Sequence, residues 1–325
     1  MDAMSAADRH IPVMLTRVIE VVASAHQAPD TTHVDGTLGM GGHAEAVLRA
    51  CPQATVVGID RDPQALELAT ARLEPFGERF VPVHAVFDEL PEVLADRGLT
   101  AVESVLLDLG MSSLHIDDTS RGFAYREDAP LDMRMDPTRG HTVADYLDQA
   151  PEADIARVLK EYGEERYARR IAAAIVERRG SNPVRRTAEL AELVQRCVPA
   201  AQSRTGGHPA KRTFQALRIQ VNQELEVLDA VLPASLEALA VGGRCAVLSY
   251  HSLEDRRVKQ AFAAGLTSSA PLGLPVELPE HAPYLKAITR GAELPSATEI
   301  AENPRSASAK FRAVQRIRLG GGPPR

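Results

Sequence analysis

The segment Val34-Asp35-Gly36-Thr37-Leu38-Gly39-Met40-Gly41-Gly42-His43 constrains the fold more than any other part of the chain. Four glycines fall within seven positions, between a β-type run and a helix-type run. Glycine lets the backbone turn tightly there and brings N–H groups close to a ligand, because no Cβ stands in the way. A helix beginning near His43 would aim its positive N-terminus at whatever is bound. Further on, Val56-Val57-Gly58-Ile59 ends in Asp60, where the second strand of a nucleotide-binding βαβ unit offers a carboxylate to ribose hydroxyls. A tight turn without a ligand remains the alternative for the glycines taken alone.

The glycine spacing is G-x-x-G-x-G-G, an imperfect match to the dinucleotide pattern G-x-G-x-x-G. Charge separates the candidate ligands. Three apolar runs end in an acid: Asp35, Asp60, and Asp108 after Val105-Leu106-Leu107. In a parallel sheet these carboxylates gather at one edge, where open α/β folds bind ligands. A pyrophosphate would be repelled. S-adenosylmethionine (SAM), with a sulfonium, an ammonium and no phosphate, would be attracted. At about 4 Å and an effective dielectric near 20, each such pair is worth roughly 4 kcal/mol. SAM is therefore favoured over NAD. Each aspartate taken singly also suits a helix cap or a turn.

The chain has 325 residues, 44% hydrophobic and 25% charged, as in ordinary water-soluble domains. No apolar run is long enough to span a membrane, and Met1 to Arg9 lacks a signal-peptide core, so a cytoplasmic location is expected. Cys51, Cys197 and Cys245 form no C-x-x-C pair, and no metal site is expected. The net charge of −7 is unevenly spread. Residues 160–220 hold 13 Lys and Arg against six acids, and 244–325 hold 12 against seven. An acidic body with basic surfaces suits a polyanionic partner, although a solvated arginine-rich helical region would look the same.

Strands are expected at Thr32–Asp35, Thr55–Asp60, Phe80–His84 and Val102–Leu109, alternating with helices. The next strand, Cys245–Ser249, follows a Gly242-Gly243 turn. The gap before it is far longer than a βα repeat requires, so an insert is expected over roughly 121–215. Val143–Leu147, Ile155–Tyr162, Tyr167–Arg179 and Leu190–Cys197 read as helices of that insert. They carry Arg166, Arg169, Arg170, Arg178 and Arg179, with Arg185 and Arg186 between them, an arrangement suited to a phosphate backbone. A long helix through Ala230 follows His208–Gln215, with Phe214 a core aromatic or a stacking platform. Gly265–Ser308 reads as a loop, Lys310–Arg318 as a last strand, and Gly320–Arg325 as a disordered tail.

These residues closely resemble the bacterial small-subunit (16S) rRNA cytosine-N4 methyltransferases, the RsmH or MraW family. The likeness is carried by His10–Leu15, Asp35–His43, Ile59–Ala65 and Leu107–Ser113, then by Arg121-Gly122-Phe123, Pro130–Asp136 and Tyr162–Arg166. His208-Pro209-Ala210, Arg212–Ala216, Ser249–Arg256 and Glu302–Arg305 complete it, in order over nearly the whole chain.

The resemblance implies a Rossmann-like class I SAM-dependent methyltransferase of the α/β class, with an inserted all-helical substrate-recognition domain. The domains expected are 1–120 and 216–325 for the SAM-binding part and 121–215 for the insert. It implies methylation of the exocyclic N4 of one cytidine in the ribosomal decoding region, with 16S rRNA in the small subunit as partner. It carries SAM contacts to Gly41, Gly42, His43, Asp60, Phe87 and Asp108, and Asp35 joins them as a strand-end acid. The family usually has Gln at a further contact position, where this chain has His115.

Catalytic candidates are Asp108, His251 and Ser252, on loops expected at adjacent strand ends. RNA-binding candidates are Arg166, Arg169, Arg170, Lys211, Arg212 and Arg256. The oligomeric state is left open. A DNA or protein methyltransferase would share the cofactor half, and a non-enzymatic rRNA-binding assembly factor would use only the basic surfaces.

Overall fold

The computed structural model describes residues 11–199, 208–271, 278 and 281–319. The His10 of the first motif and the Gly320–Arg325 tail lie outside the described residues. Two compact units divide the chain: 1–110 with 226–325, and 111–225.

The first unit is built on a mixed seven-stranded sheet in the order β3-β2-β1-β4-β5-β7-β6. Its strands are β1 Thr31–Asp35, β2 Ala54–Asp60, β3 Phe80–His84, β4 Val102–Asp108, β5 Leu239–Ser249, β6 Leu285–Ala287 and β7 Lys310–Arg316. Strands β1 to β5 pair in parallel, while β7 runs antiparallel to β5 and β6 antiparallel to β7. The strand order reverses between β1 and β4, which opens a crevice at their C-terminal ends. This is the Rossmann-like α/β architecture expected.

Buried strands alternate their side chains between two apolar layers. Val57, Val105, Leu107, Cys245 and Val247 face one layer, which includes Leu90 of helix α4 (Leu90–Ala95) and Phe262. Val56, Leu106, Ala246 and Leu248 face the other, with α1 (Leu15–Ala23), α2 (Gly42–Ala50) and α3 (Pro63–Leu73). Apolar residues on both faces are what a helix-covered parallel sheet demands.

The polar residues of β1 are met across the sheet. Ser104 Oγ on β4 lies 2.7 Å from His33 Nδ1 and 2.7 Å from His26 Nε2. The Thr32 N–H donates to Glu103. Burial holds His33 well below the usual imidazole range, so it stays neutral.

The stretch before α1 is fastened from the far end of the sequence. Asn303 Nδ2 donates to the Ile11 carbonyl, the Met14 N–H donates to Glu299, and Arg17 makes a two-pronged pair with Glu293.

The regular elements described in the second unit are helices: α5 Ser113–Asp117, α6 Val143–Gln149, α7 Glu152–Gly163, α8 Ala168–Arg178, α9 Thr187–Cys197 and α10 Lys211–Asn222, with a 3-10 turn at Thr119–Arg121. An isolated bridge joins Pro130 and Arg186. Its core is separate from those of the sheet and contains Leu131, Met133, Ile155, Leu159, Ile171, Leu190 and Phe214. Asn222 holds an irregular stretch against α10. Its amide donates to the Met133 carbonyl and its Oδ1 accepts from the Met135 N–H, both at 2.7 Å.

Three expectations are corrected. The long helix through Ala230 is two helices, α10 and α11 (Glu224–Ala238), because Gln223 takes a left-handed φ of 53° and ends the first. The supposed loop 265–308 contains β6 and α13 (Ala297–Glu302), after α12 (Ser252–Leu266). Gly242-Gly243 lies inside β5, where the pairing with β4 jumps from Leu239 to Arg244 and Gly242 takes a φ of +91°. No described helix is long and apolar enough to cross a membrane.

Replacing Asn222 by Ala orphans a buried carbonyl and a buried N–H. Such losses cost about 1–3 kcal/mol each. A chemical denaturation series on Asn222→Ala is expected to show a loss of about 2–4 kcal/mol.

Candidate active site

Three parallel strands end in acids at the same edge. Asp35 closes β1, Asp60 closes β2 and Asp108 closes β4. Asp35 is 1% exposed, and burial pushes its carboxyl up to about 7, with the charges of Asp108 and Asp60 adding to the rise. The Thr37 N–H donates to Asp35 Oδ1 and opposes it. Thr37 also ties the edge together, since its Oγ1 accepts from the Asp108 N–H at 2.6 Å. Nothing in the sequence marks Thr37 for this part beyond its place between glycines.

Asp60 anchors the glycine turn. One of its oxygens accepts from the Gly39 N–H at 2.7 Å and the other from the Asp62 N–H at 2.9 Å. Asp62 then caps α3 by accepting from the Gln64 N–H.

The glycines serve packing as well as approach. Gly41 caps α2 with a φ of +77°, which favours glycine. A Cβ on Gly42 would stand 2.5 Å from Pro12 Cγ, and one on Gly36 would stand 2.6 Å from Leu107. The same imagined atom on Gly36 would lie 3.7 Å from Phe87 Cβ, which sets Phe87, partly exposed after β3, beside the turn.

His43 sits in the first turn of α2, 6% exposed. Its Nε2 is 3.1 Å from the Val13 carbonyl, which can only accept, so Nε2 carries a proton. Its Nδ1 faces Asp108 Oδ2 at 3.7 Å. Asp108 Oδ1 accepts from the Tyr250 hydroxyl at 2.6 Å. Burial raises the Asp108 carboxyl, while His43 and Tyr250 pull it down. Neither Asp35 nor Asp108 has a Lys or Arg ion pair among the described residues.

The loop after β5 is organised by buried Glu254. Its Oε2 accepts from the N–H groups of Tyr250 and His251, and His251 Nδ1 accepts in turn from the Glu254 N–H. His251 thus caps α12, and Ser252 heads that helix with an exposed side chain. His115 lies in the second unit, 5% exposed, where it closes a capping box with Ser112 and packs its ring 5.0 Å from Phe123.

The arginines of the second unit sort into two groups. Arg179 donates to the carbonyls of Leu147 and Ala150, Arg185 pairs with Asp148, and Arg186 pairs with Asp128. These hold the unit together. Arg166, Arg169 and Lys211 are exposed, with no side-chain partner among the described residues. Among the described residues the Arg170 side chain reaches only the Arg196 carbonyl, and Arg212 donates to the Glu164 carbonyl at 2.9 Å. Arg256, on α12 of the first unit, is exposed and unpaired among the described residues. Phe214 is 4% exposed and belongs to the core, so it offers no platform.

This Rossmann-like sheet, with acids closing three parallel strands around a glycine turn, is that of an α/β methyltransferase. The MraW methylase family model matches residues 7–317, and the chain belongs to that family. It is 58% identical to a protein of Beutenbergia cavernae named ribosomal RNA small subunit methyltransferase H, over 98% of this chain and 95% of that one. The protein of the same name from Saccharopolyspora erythraea is 57% identical over 98% of this chain and 96% of its own. A crystal structure of an rRNA methylase from Streptococcus thermophilus aligns over 91% of this chain and 92% of that one, with a TM-score of 0.41 and 10% identity.

Between pH 3.8, the ordinary value for Asp35, and its folded value of about 7, the folded chain keeps a proton that the unfolded chain has lost. Stability therefore falls as pH rises through that window. Asp35→Asn removes the buried charge. Three pH units set a ceiling of about 4 kcal/mol. Thermal melts are expected to show the variant more stable than the parent by about 2–4 kcal/mol at pH 8, with the gain gone by about pH 4.

Proposed function

We propose that the protein transfers the methyl group of SAM to the exocyclic N4 of a cytidine in the decoding region of 16S rRNA. One observation carries the cofactor half: buried Asp35 and neighbouring Asp108 meet no Lys or Arg among the described residues, and so form a seat for a cation. A ligand with a sulfonium and an ammonium would offset the cost of charging Asp35, which burial raises first and the charges of Asp108 and Asp60 raise further. Asp60, at the end of β2, suits the ribose hydroxyls, and Phe87 offers an apolar face beside the glycine turn. Gly41 and Gly42 set the start of α2, whose N-terminus favours the ligand's carboxylate. When bound, SAM supplies a methyl group on a sulfonium leaving group.

The substrate half follows from family membership and from the names of the relatives. The N4 lone pair of cytosine is delocalised into the ring, so N4 is a weak nucleophile. The protein must align it with the S–CH3 bond, and well-oriented reactants gain roughly 7–11 kcal/mol from positioning. As the N–C bond forms, N4 becomes positive and must release a proton. Asp108 Oδ2 is an acceptor held at the sheet edge, and such a preorganised acceptor stabilises the developing charge. His251 and Ser252 lie on the adjoining loop. His251 already caps a helix, so its share in the chemistry is the first to be tested by substitution. A base that is methylated in this way has to leave its stack.

Phosphate contacts are assigned to one end of the helical unit. A Cβ on Gly163, the last residue of α7, would stand 2.5 Å from the Arg212 carbonyl, and Gln215 donates to the Tyr162 carbonyl. The turn holding Arg166 therefore lies beside the start of α10. Arg169 and Arg170 open α8, Lys211 and Arg212 open α10, and neither helix has an acid in its first turn. Cations at a helix N-terminus oppose the helix dipole, so they do not serve helix stability. The His115 position is assigned to cofactor contact by family likeness alone.

Label from tritiated SAM is expected in N4-methylcytidine when the acceptor is a small subunit lacking the modification, and Asp108→Ala is expected to lose it. Label in DNA or protein instead, or SAM bound without transfer, would move the assignment to another acceptor. A protein that binds RNA but no SAM would be a non-enzymatic assembly factor. Binding of the rRNA is expected to weaken steeply with salt. Replacing Arg166, Arg169 and Lys211 together by Ala should lower the slope of log K against log salt by about 2–3, at roughly 0.7–0.9 for each phosphate no longer neutralised. An unchanged slope in filter-binding titrations would remove this pole from the RNA interface.

A further inference from the structure

The loop after β5, part of the Ser249–Arg256 motif, reaches back to the end of β4 through the side chain of Tyr250. The Tyr250 hydroxyl donates to Asp108 Oδ1 at 2.6 Å, and its ring lies 3.4 Å from where a Cβ on Gly110 would stand. Gly110 takes a φ of +92°, so the chain turns sharply there, under the tyrosine ring. The tyrosine backbone is itself fixed, because its N–H donates to buried Glu254 at 2.7 Å. A hydroxyl delivered by so constrained a loop can choose one carboxylate oxygen and leave the other free.

We propose that Tyr250 is a positioning residue: its hydroxyl grips Asp108 Oδ1 and leaves Oδ2 turned toward His43, so the carboxylate keeps a single orientation and its negative charge. This rests on Asp108 being the acid of the cofactor and methyl-transfer site. The geometry leaves the division of labour clear. His43 spends its Nε2 proton on the Val13 carbonyl and presents Nδ1 to Oδ2. The Asp108 N–H is taken by Thr37 Oγ1, which fixes the backbone beneath the carboxylate. Tyr250 is the remaining fixed point, and it acts on the other oxygen.

The charge balance around Asp108 explains why a donor is needed there. His43 faces it from α2 and favours its charged form when the ring is protonated, Glu254 on α12 opposes it, and Asp35 on β1 is a second carboxylate of the same edge. Burial also opposes the charge. The Tyr250 hydroxyl cannot itself become an anion under ordinary conditions, since burial and Asp108 push it far above the usual phenol range. It is therefore a permanent donor.

The test is Tyr250→Phe in the full chain, with the Asp108 carboxyl followed by 13C NMR against pH in the absence of ligand. Loss of a hydrogen bond to a charged group is expected to move the Asp108 midpoint up by about one to two pH units. The Kd for SAM is then expected to match the parent at high pH and to be weaker by about tenfold or more on the acid side of the new midpoint. An unmoved Asp108 midpoint overturns the proposal, whatever the activity does. Incorporation of 3-fluorotyrosine at position 250 keeps the shape and strengthens the donor. It is expected to move the midpoint down, and an upward shift or none counts against the proposal even if the Phe variant fails to fold. A parent protein that binds no SAM would sink the functional reading, while the ligand-free titration still decides the role of Tyr250.

Discussion

The cost of burying carboxylates at one sheet edge organises this molecule. Parallel pairing of β1, β2 and β4 forces their last residues to one edge, and all three are aspartates. An edge of this kind folds only if each acid is given donors. Thr37 gives its N–H to Asp35, and its Oγ1 accepts from the Asp108 N–H, which fixes the backbone beneath the second acid. Asp60 takes the Gly39 and Asp62 N–H groups, and Asp108 takes the Tyr250 hydroxyl. The donors quieten the edge but do not neutralise it: burial first, and the charges of Asp108 and Asp60 after it, keep the Asp35 carboxyl high. That uncompensated charge is what the proposed cationic methyl donor would offset.

The helical unit solves a different problem with the same kind of residue. Arginine is used there as a mortar, where Arg179 satisfies two carbonyls at the end of α6, and as a free surface charge at Arg169. A count of basic residues mixes the two. Partners separate them: an arginine that fills carbonyls or pairs with Asp128 or Asp148 has little left for a phosphate.

The sheet was legible because its first four strands are apolar runs of the right length, each of three closing in an acid. The four helices read in the insert also show clear apolar periodicity and are found at those places. What stayed hidden depends on contacts between distant residues. Nothing local marks Gln223 as a helix stop, because its left-handed backbone is imposed by its surroundings and glutamine has no special liking for it. The three-residue β6 is too short to show alternation and exists because β7 offers it an edge. Gly42 reads as room for a ligand, yet Pro12, thirty residues earlier, claims the space. Tyr250 and Thr37 stand inside motifs, but nothing local says that one grips Asp108 Oδ1 and the other its backbone N–H. Their roles come from sheet register, which places the loop after β5 beside the end of β4.

The fastening of residues 11–17 has a consequence for how the protein is made. Pro12 packs on Gly42 and Val13 holds His43, so this short stretch shapes the start of α2. Its own anchors are Glu293, Glu299 and Asn303, which leave the ribosome nearly three hundred residues later. β7, which pairs with the central β5, emerges later still. A nascent chain therefore carries its glycine turn and its three acids through most of synthesis without the clasp that aligns His43. The contacts that set the start of α2 are therefore completed only when the last strand has been made.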